Sequence, residues 1–315
     1  MAAARAGHGL SSPVLEAAHL RNLDLDAARH PRGLPHLSAA SGLVLHDGTL
    51  FAVADDEHHL AWCALADARP WRLHRIAAGD LPADAAARKK RKPDFEALAL
   101  LPGIGPGPGT LLALGSGSRP QRHAAVLVPL GATPCALGQP RSLSLDELYA
   151  PLHGRFGDLN VEGAFVEGGH LCLLQRGHKG EAVNACIRFA LPGVLAWLQG
   201  QGRAPGPDSI ELFELGQHGK VPFGFTDGAA IEGGGWVFSA VAEDTDDSFL
   251  DGPCAASGIG RVGPDGRLSS WQLLAGAPKV EGIAVDAGGA APRLLLVTDA
   301  DDPATAARLL ACPLQ

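Results

Sequence analysis

The stretch that decides the fold is EGIAVDAG at residues 281–288, an acidic residue and a glycine followed by an apolar run and a second glycine. Four variants occur earlier in the chain with the same order of polar, small, apolar and glycine positions. They are SGLVLHDG at 41–48, EALALLPG at 96–103, EGAFVEGG at 162–169 and DGAAIEGG at 227–234. Such internal repetition indicates an architecture built from repeated units.

The repeats start 54 to 66 residues apart, and a second apolar run follows each glycine turn. This spacing is long for a solenoid unit and suits the four-stranded blade of a β-propeller with generous loops. We therefore predict an all-β protein, a single β-propeller of five four-stranded blades over residues 13–315, preceded by a disordered segment over 1–12. The alternative of six blades would require a further copy within residues 1–40, where no acidic-glycine start occurs.

The two ends of the chain predict how the ring closes. The last repeat is followed by only two further strand-like runs, RLLLVT at 293–298 and AARLLACPL at 306–314, so the fifth blade lacks a strand. The segment PVLEAAHLRNLDL at 13–25 is a spare strand with alternating apolar positions. A ring is closed when strands from both termini complete one blade, because this removes exposed sheet edges. We expect residues 13–25 to be the outer strand of blade five.

Composition excludes several function classes. The formal net charge of −8 argues against a general nucleic-acid binder. No apolar run approaches the length of a membrane helix, and residues 1–10 contain no signal-peptide core. The cysteines are scattered without metal-binding spacing, and Cys63, Cys172, Cys186 and Cys312 lie in apolar runs typical of buried thiols. These features favour a cytoplasmic monomer that interacts with neither nucleic acid nor membrane.

The repeat places acidic side chains around one point of the fold. The first strand of each blade lines the central channel of a propeller, so the repeat starts converge near its axis. These starts are Glu96, Glu162, Asp227 and Glu281, with Ser41 as the polar exception. Like charges so close repel unless a cation, basic side chains or raised pKa values intervene. We predict a Ca²⁺-type ion bound by the four carboxylates; alternatively, they accept hydrogen bonds from backbone amides of neighbouring blades.

A second polar layer follows the second strand of each blade. The strands are antiparallel, so these ends lie beside the repeat starts at the same face of the ring. The layer consists of DDEHH at 55–59, SGSR at 116–119, QRGHK at 175–179, EDTDD at 243–247 and DADD at 299–302. His58 and His178 are candidate general bases. The candidate residues for binding a small anionic substrate are Arg119, Arg176 and Lys179. Many such residues only form turns or lie on the surface.

One charged segment lies outside these layers. The run RKKRK at 88–92 falls between the first two blades. We expect it to be a solvated loop, and the alternative is a patch that recruits an anionic ligand.

The acidic-Gly-aliphatic first strand with a polar-ended second strand resembles phytase-like and gluconolactonase/paraoxonase-like bacterial β-propellers. The segments KPDFEA at 92–97 and LALGSGS at 112–118 are similar to an uncharacterised group of bacterial propellers. The resemblance covers about residues 40–315 and implies that acidic residues at the top of the channel hold calcium or a similar ion. The chain departs from the enzymes in its five repeats, in Ser41 and in having no clear catalytic histidine motif.

Two functions of different classes follow. The first is a metal-dependent hydrolase of a phosphoester or lactone, in which the ion polarises the substrate oxygen or activates water. The second is a non-catalytic propeller whose polar face binds a small ligand or a protein. A cation with open coordination positions would favour the hydrolase, whereas a channel plugged by Arg or Lys side chains would favour the binding protein.

Overall fold

The computed structural model describes residues 14–104, 107–133, 136–246 and 252–314, together with the backbone of Ala4–Arg5. Its sheets form five blades around a central channel, and the first strands of neighbouring blades contact one another in a closed ring. The prediction of a five-bladed all-β propeller is confirmed. Within the described residues no helix is long and apolar enough to cross a membrane.

Each blade is built on antiparallel strands that follow one another in sequence from the channel outwards, and N-terminal strands are added at the outer edges of blades 3 and 5. The N-terminal strands are β1 (Ala4–Arg5) and β2 (Ala18–Asn22). Blade 1 contains β3 (Ala40–His46), β4 (Thr49–Ala54), β5 (His59–Ala64) and β6 (Arg72–Arg75). Blade 2 contains β7 (Phe95–Leu101), β8 (Thr110–Gly115), β9 (Ala124–Pro129) and β10 (Arg141–Ser144). Blade 3 contains β11 (Val161–Glu167), β12 (His170–Gln175), β13 (Asn184–Ala190) and β14 (Ser209–Glu214).

A short hairpin, β15 (Gln217–His218) and β16 (Val221–Pro222), separates blades 3 and 4. Blade 4 contains β17 (Gly224–Ala230), β18 (Trp236–Glu243), β19 (Cys254–Val262) and β20 (Leu268–Leu273). Blade 5 contains β21 (Val280–Asp286), β22 (Arg293–Thr298) and β23 (Arg308–Pro313). The helices are α1 (Ala85–Arg91), α2 (Asp146–His153) and α3 (Leu191–Leu198), with 3₁₀ turns at Ala27–Arg29 and Pro120–Arg122.

The hydrophobic core is divided among the gaps between blades. Five clusters of buried apolar side chains occur, and each joins two neighbouring blades. A middle strand therefore buries both of its faces, which is why β4, β8 and β18 are buried along their whole length. Continuous apolar runs such as TLFAVA at 49–54 are the sequence signature of strands covered on both faces.

Strand β2 closes the ring. It pairs antiparallel with β23 as the outer strand of blade 5, which confirms the predicted closure. Leu15, Leu23 and Leu25 around it are buried, so the segment is fixed by packing as well as by the ladder. The backbone of β1 pairs in parallel with β14. The rest of the segment 1–12, predicted to be disordered, lies outside the described residues.

The expectation of a solvated loop over the basic run is wrong, because residues 85–91 form helix α1. Asp84 caps the helix by accepting a hydrogen bond from the Ala87 amide at 2.8 Å. The Arg88 guanidinium reaches Asp56 Oδ2 at 3.1 Å, and Lys92 directly after the helix is buried. The run is therefore partly packed against blade 1.

The thiols of Cys63, Cys172, Cys186 and Cys312 are free and buried, as their apolar surroundings in the sequence predict. Burial raises the pKa of the Cys63 thiol to about 11. These side chains behave as small apolar groups of the core.

Candidate functional site

A small cavity of about 70 Å³ lies at one end of the central channel, and charged side chains line it. We call it the charged cavity. Its lining includes seven carboxylates, from Asp55, Asp94, Glu96, Glu162, Glu243, Glu281 and Asp299. It also includes five cationic side chains, from Lys89, Lys92, Arg122, Arg176 and Lys279. The second polar layer supplies Asp55, Arg176, His178, Glu243 and Asp299, so the two predicted layers meet at one face.

Arg176 links the carboxylates of blades 3, 4 and 5. It follows β12, and its guanidinium Nη1 lies 3.1 Å from Glu162 Oε2 and 3.7 Å from Glu281 Oε1. Its Nη2 donates to Glu243 Oε2. Lys279, directly before β21, lies 3.5 Å from Glu243 Oε1 and 3.7 Å from Glu281 Oε1. Basic side chains therefore neutralise much of the negative charge of these carboxylates. They are one of the alternatives that the sequence offered, the other being a metal ion.

The side of the cavity formed by blades 1 and 2 is built around Asp94. Its Oδ1 lies 2.9 Å from Lys92 Nζ, and its Oδ2 lies 2.8 Å from Arg122 Nη1. The Ser116 hydroxyl donates to Asp94 Oδ2 at 2.6 Å. Lys92 also donates to Asp55 Oδ2. This buried cluster fixes the loop before β7 against the end of β8.

Ion pairs with basic side chains compensate the charge of Glu96 less well than the charges of the neighbouring carboxylates. Its Oε2 accepts a hydrogen bond from the Ser41 hydroxyl at 2.9 Å, so the polar exception in the repeat contacts an acidic member of the ring. Burial, reinforced by the negative charges of Asp94 and Glu162, holds the pKa of Glu96 well above its usual range. The geometry thus concentrates negative charge that the basic residues only partly offset.

Two other carboxyl groups have raised pKa values. Burial raises the pKa of Glu281 well above its usual range, although Arg176 and Lys279 oppose the rise. Burial raises the pKa of Asp299 to about 7, against the opposing charge of Lys279 at 3.5 Å. A carboxyl group with a pKa near 7 exists in both protonation states at neutral pH, which is the condition for efficient proton transfer.

Three carboxylates could hold a cation. Asp55, Asp94 and Glu96 each offer one oxygen, and these oxygens lie within 4.8 Å of one another. Among the described residues, Asp55 Oδ1 is buried without a hydrogen-bond partner, as is Glu281 Oε2 on blade 5. Carboxylate oxygens are the ligands that hard cations such as Ca²⁺ prefer. The donor set therefore fits a hard cation, with Lys92 as a competing positive charge at the same carboxylates.

Asp227 lies apart from the charged cavity, because blade 4 is shifted by one residue relative to the alignment of the repeats. A bulge in β21 leaves Glu281 unpaired between Val280 and Gly282, and the corresponding bulge in β17 leaves Thr226 unpaired. Asp227 therefore corresponds to Gly282. It is fully buried and does not line the cavity with Glu96, Glu162 and Glu281.

The Asp227 carboxylate instead joins the first strands of several blades. Its Oδ2 accepts hydrogen bonds from the amides of Leu43 at 3.2 Å and Ile283 at 3.0 Å. Its Oδ1 accepts from the amide of Gly228 at 2.8 Å. This is the alternative stated for the acidic repeat positions, a carboxylate that satisfies backbone amides of neighbouring blades.

The ring also explains the small residue that follows each acidic start. A Cβ atom on Gly282 would lie 2.8 Å from the Ser41 carbonyl oxygen, and one on Gly163 would lie 2.8 Å from Asp227 Cα. First strands of neighbouring blades approach too closely here for a larger side chain. The acidic-glycine pattern therefore combines a residue that faces the cavity with a residue that permits the ring to close.

The two candidate general bases lie in different surroundings. His178 lines the charged cavity, but its Nε2 lies 3.0 Å from Asp158 Oδ2 and its Nδ1 accepts from the Gly180 amide at 3.1 Å. Both ring nitrogens are thus engaged in structural contacts. His58 does not line the cavity, and its Nδ1 lies 3.1 Å from the Gly79 carbonyl oxygen. The structure gives neither histidine a proton-transfer geometry, and their catalytic roles stay predictions.

Of the candidate substrate ligands, only Arg176 lines the cavity. Arg119 is exposed beside the turn at Pro120–Arg122, and Lys179 pairs with Asp244 at 2.8 Å on the surface. The cavity is also lined by Arg122, Lys92 and Lys279, which the repeat pattern did not predict there. Lys92 and Lys279 each stand two residues from an acidic residue of the lining, a spacing that could have identified them.

Comparison with protein families identifies the family of the chain. The model of a family of unknown function (DUF6910) matches residues 88–303, more than half of the chain. No curated protein matches. Among solved structures, a luciferin-regenerating enzyme is similar at 8% identity with a TM-score of 0.47, covering 89% of this chain and 92% of that chain.

Two further structures of similar shape have different activities. An α-L-arabinofuranosidase from Podospora anserina is 12% identical with a TM-score of 0.44, covering 95% of this chain and 96% of that chain. Streptogramin B lyase is 13% identical with a TM-score of 0.38, covering 96% of this chain and 97% of that chain. Similarities this low carry no argument about activity, so function has to be argued from the site.

Proposed function

The chain belongs to the family of unknown function DUF6910, and from its site we propose a calcium-type, metal-dependent hydrolase of a phosphoester or lactone. The cation would be held by Asp55, Asp94 and Glu96 at the charged cavity. This assignment keeps the ion predicted from the repeat and moves it away from Asp227. The resemblance to phytase-like and gluconolactonase/paraoxonase-like propellers supports the substrate classes.

The observation that carries the proposal is an excess of negative charge in a closed space. With every carboxyl group ionised, the seven carboxylates of the lining exceed its five Lys or Arg side chains by two charges, which one divalent cation would cancel. The raised pKa values of Glu96 and Glu281 reflect the cost of that ionisation without such a cation. Asp55 Oδ1 is buried and, among the described residues, has no hydrogen-bond partner. A buried acceptor without a partner is costly unless water or an ion satisfies it.

A bound cation of this type polarises a substrate oxygen or lowers the pKa of a bound water. The protein's own residues would supply proton transfer and orientation. Asp299 is the best placed carboxyl group for proton transfer, because its pKa is raised to about 7 and it lines the same cavity. Arg176 and Lys279 hold Glu243 and Glu281 in fixed positions through their ion pairs. Lys89 is a partly exposed cationic group at the cavity that could attract an anionic substrate.

Melting temperature is the first test. Since Ca²⁺ binds the native state, it would stabilise the fold by RT ln(1 + [L]/Kd), about 2.7 kcal/mol at a hundredfold excess over Kd. We expect a chelator to lower the melting temperature and added Ca²⁺ to restore it. Glu96→Gln, which removes the charge and nearly keeps the shape, should weaken this response. Glu232→Gln on an exposed turn is the matched control and should leave it unchanged.

Activity is the second test. Hydrolysis of p-nitrophenyl phosphate and of a simple lactone would be measured with Ca²⁺ and with a chelator, in wild type, Glu96→Gln and Asp299→Asn. We expect calcium-dependent hydrolysis of one substrate class, with loss in both variants. No response of melting temperature to Ca²⁺ or chelator in the wild type would contradict the cation site.

A second candidate, a non-catalytic binding propeller, is favoured by one specific observation. Arg176 and Lys279 enter the charged cavity and pair with Glu162, Glu243 and Glu281. This is the basic plug stated above as the mark of a binding protein. A calcium-dependent melting temperature without hydrolysis of either substrate class would favour a binding protein with a structural ion.

A further inference from the structure

A pair of histidines at the outer side of blade 2 forms a second site away from the charged cavity. His123 follows the turn at Pro120–Arg122, directly before β9, and His153 is the last residue of α2. Their Nε2 atoms lie 3.1 Å apart. The first residue of the same helix, Asp146, contacts the other nitrogen of His123, with Oδ1 2.7 Å from Nδ1. Both ends of helix α2 therefore contact His123.

The carboxylate decides which nitrogen of His123 carries hydrogen. An ionised carboxylate only accepts hydrogen bonds, so Asp146 requires a proton on Nδ1. In the neutral ring, Nε2 then presents its lone pair towards His153. The Gly117 carbonyl oxygen lies 3.2 Å from the same Nε2 and accepts its hydrogen when that nitrogen is protonated, so a metal ion would replace a proton there.

We propose that His123 and His153 bind a zinc-type transition-metal ion through their Nε2 atoms, with Asp146 as a positioning residue. Imidazole nitrogens suit Zn²⁺, Cu²⁺ and Ni²⁺. Two such nitrogens at 2.0–2.1 Å from one tetrahedral ion lie about 3.3 Å apart, close to the observed 3.1 Å. A carboxylate on the second nitrogen of a ligating histidine fixes its tautomer and raises its basicity, which is the relation of Asp146 to His123.

The core packs against His123, whereas His153 is accessible to solvent. The His123 ring packs edge-on against Tyr149 with the ring centroids 5.8 Å apart. Tyr149 is fully buried and donates its hydroxyl hydrogen bond to the Gly115 carbonyl oxygen at 2.8 Å. His153 is exposed, so an ion can enter from solvent and water can complete its coordination. The imidazole nitrogen donors distinguish this site from the oxygen cluster of the charged cavity.

Zinc titration of the full chain by calorimetry tests the proposal. The measurement would be made at pH 7.5 in excess Ca²⁺, so that the charged cavity does not contribute. We expect one Zn²⁺ site in the wild type and its loss in His153→Gln. Asp146→Asn should weaken the binding about 10- to 100-fold, the usual effect of removing a carboxylate behind a ligating histidine. Because bound metal requires deprotonated imidazoles, the affinity should also fall as the pH is lowered below 7.

His170→Gln is the matched control. His170 lies on blade 3 and also contacts a carboxylate, with its Nε2 3.3 Å from Asp208 Oδ2, but it has no histidine partner within the described residues. We expect its zinc affinity to equal that of the wild type. Zinc binding that survives in His153→Gln, or that His170→Gln lowers equally, would overturn the proposal. The two histidines would then form only a metal-free hydrogen-bonded pair.

Discussion

Replacement of Asp227 by alanine tests whether this carboxylate holds the ring together. Asp227 belongs to blade 4, and its side chain accepts amide hydrogen bonds from Leu43 of blade 1, Ile283 of blade 5 and its neighbour Gly228. No solvent reaches it. Asp227→Ala would leave three buried amides without this acceptor at the centre of the propeller.

The expected loss follows from the cost of an unsatisfied buried donor, about 1–3 kcal/mol each. Three amides give a loss between about 3 and 9 kcal/mol. Two effects favour the lower end. Water could enter the space vacated by the carboxylate. Burial also holds the pKa of Asp227 well above its usual range, so the carboxylate bears a desolvation cost that the substitution removes. We therefore expect the free energy of unfolding to fall by about 3 kcal/mol, or the melting temperature by about 5 °C or more.

Urea unfolding of three variants would separate this role from a general effect of charge. Asp227→Asn keeps one carbonyl oxygen and should lose less stability than Asp227→Ala. Asp265→Ala removes an exposed carboxylate on the same blade, where it accepts from the Arg267 amide at 3.1 Å, and should stay within about 0.5 kcal/mol of wild type. A loss below about 1 kcal/mol in Asp227→Ala, less than one unsatisfied amide costs, would refute the structural role.

Three other outcomes are expected. Deletion of residues 1–25 removes β2 and exposes the edge of β23, so the protein should aggregate or melt at a much lower temperature, measured by light scattering and calorimetry. Because the pKa of Asp299 is raised to about 7, its contribution to stability is full below its unfolded pKa of 3.8 and is lost as pH rises through 7. Between pH 5 and 8 the free energy of unfolding, measured with urea, should therefore fall more in the wild type than in Asp299→Asn. In the same assay, exposed Lys90→Ala should change stability by no more than about 0.5 kcal/mol, whereas Lys92→Ala should cost about 3–5 kcal/mol by breaking a buried ion pair.

The fold could be predicted because the repeat and the closing strand are both recorded in local sequence. Each first strand carries a polar residue followed by a small one, and the structure shows that the small residue permits contact between blades at Gly163 and Gly282. Helix α1 was missed although its signals were present. Asp84 is a good N-cap, and three alanines follow it.

The register of blade 4 could not be read from the repeat. The Asp227-Gly228 pair resembles Glu281-Gly282 in sequence. The bulge in blade 5 falls at the acidic residue Glu281, whereas the bulge in blade 4 falls at Thr226, the residue before Asp227. A shift of one residue in a strand sends a side chain to the opposite face. The sequence therefore placed Asp227 among the cavity carboxylates, whereas the structure places it among backbone amides. Only pairing with the neighbouring strands reveals such a bulge.

The neutralisation of the site was equally hidden, because it depends on contacts between blades. Lys92 and Asp55 are 37 residues apart and belong to neighbouring blades, yet they form an ion pair. Arg176 reaches Glu243 of the next blade, 67 residues further along the chain. The sequence predicted some of the side chains that gather at the channel, such as Glu162, Glu281 and Arg176, but could not assign the pairs among them.

The charge balance of the cavity argues for a ligand rather than for a purely structural network. Buried ion pairs contribute little net stability, since the desolvation cost of both charges opposes their attraction. Here the lining carries two more carboxyl groups than cationic side chains, and the pKa values of Glu96 and Glu281 are held well above their usual range. Among the described residues, Asp55 Oδ1 and Glu281 Oε2 on adjacent blades remain without hydrogen-bond partners. When both carboxyl groups are ionised these atoms are acceptors only, so a cation or a hydrogen-bond donor would satisfy them, whereas an anion alone would not.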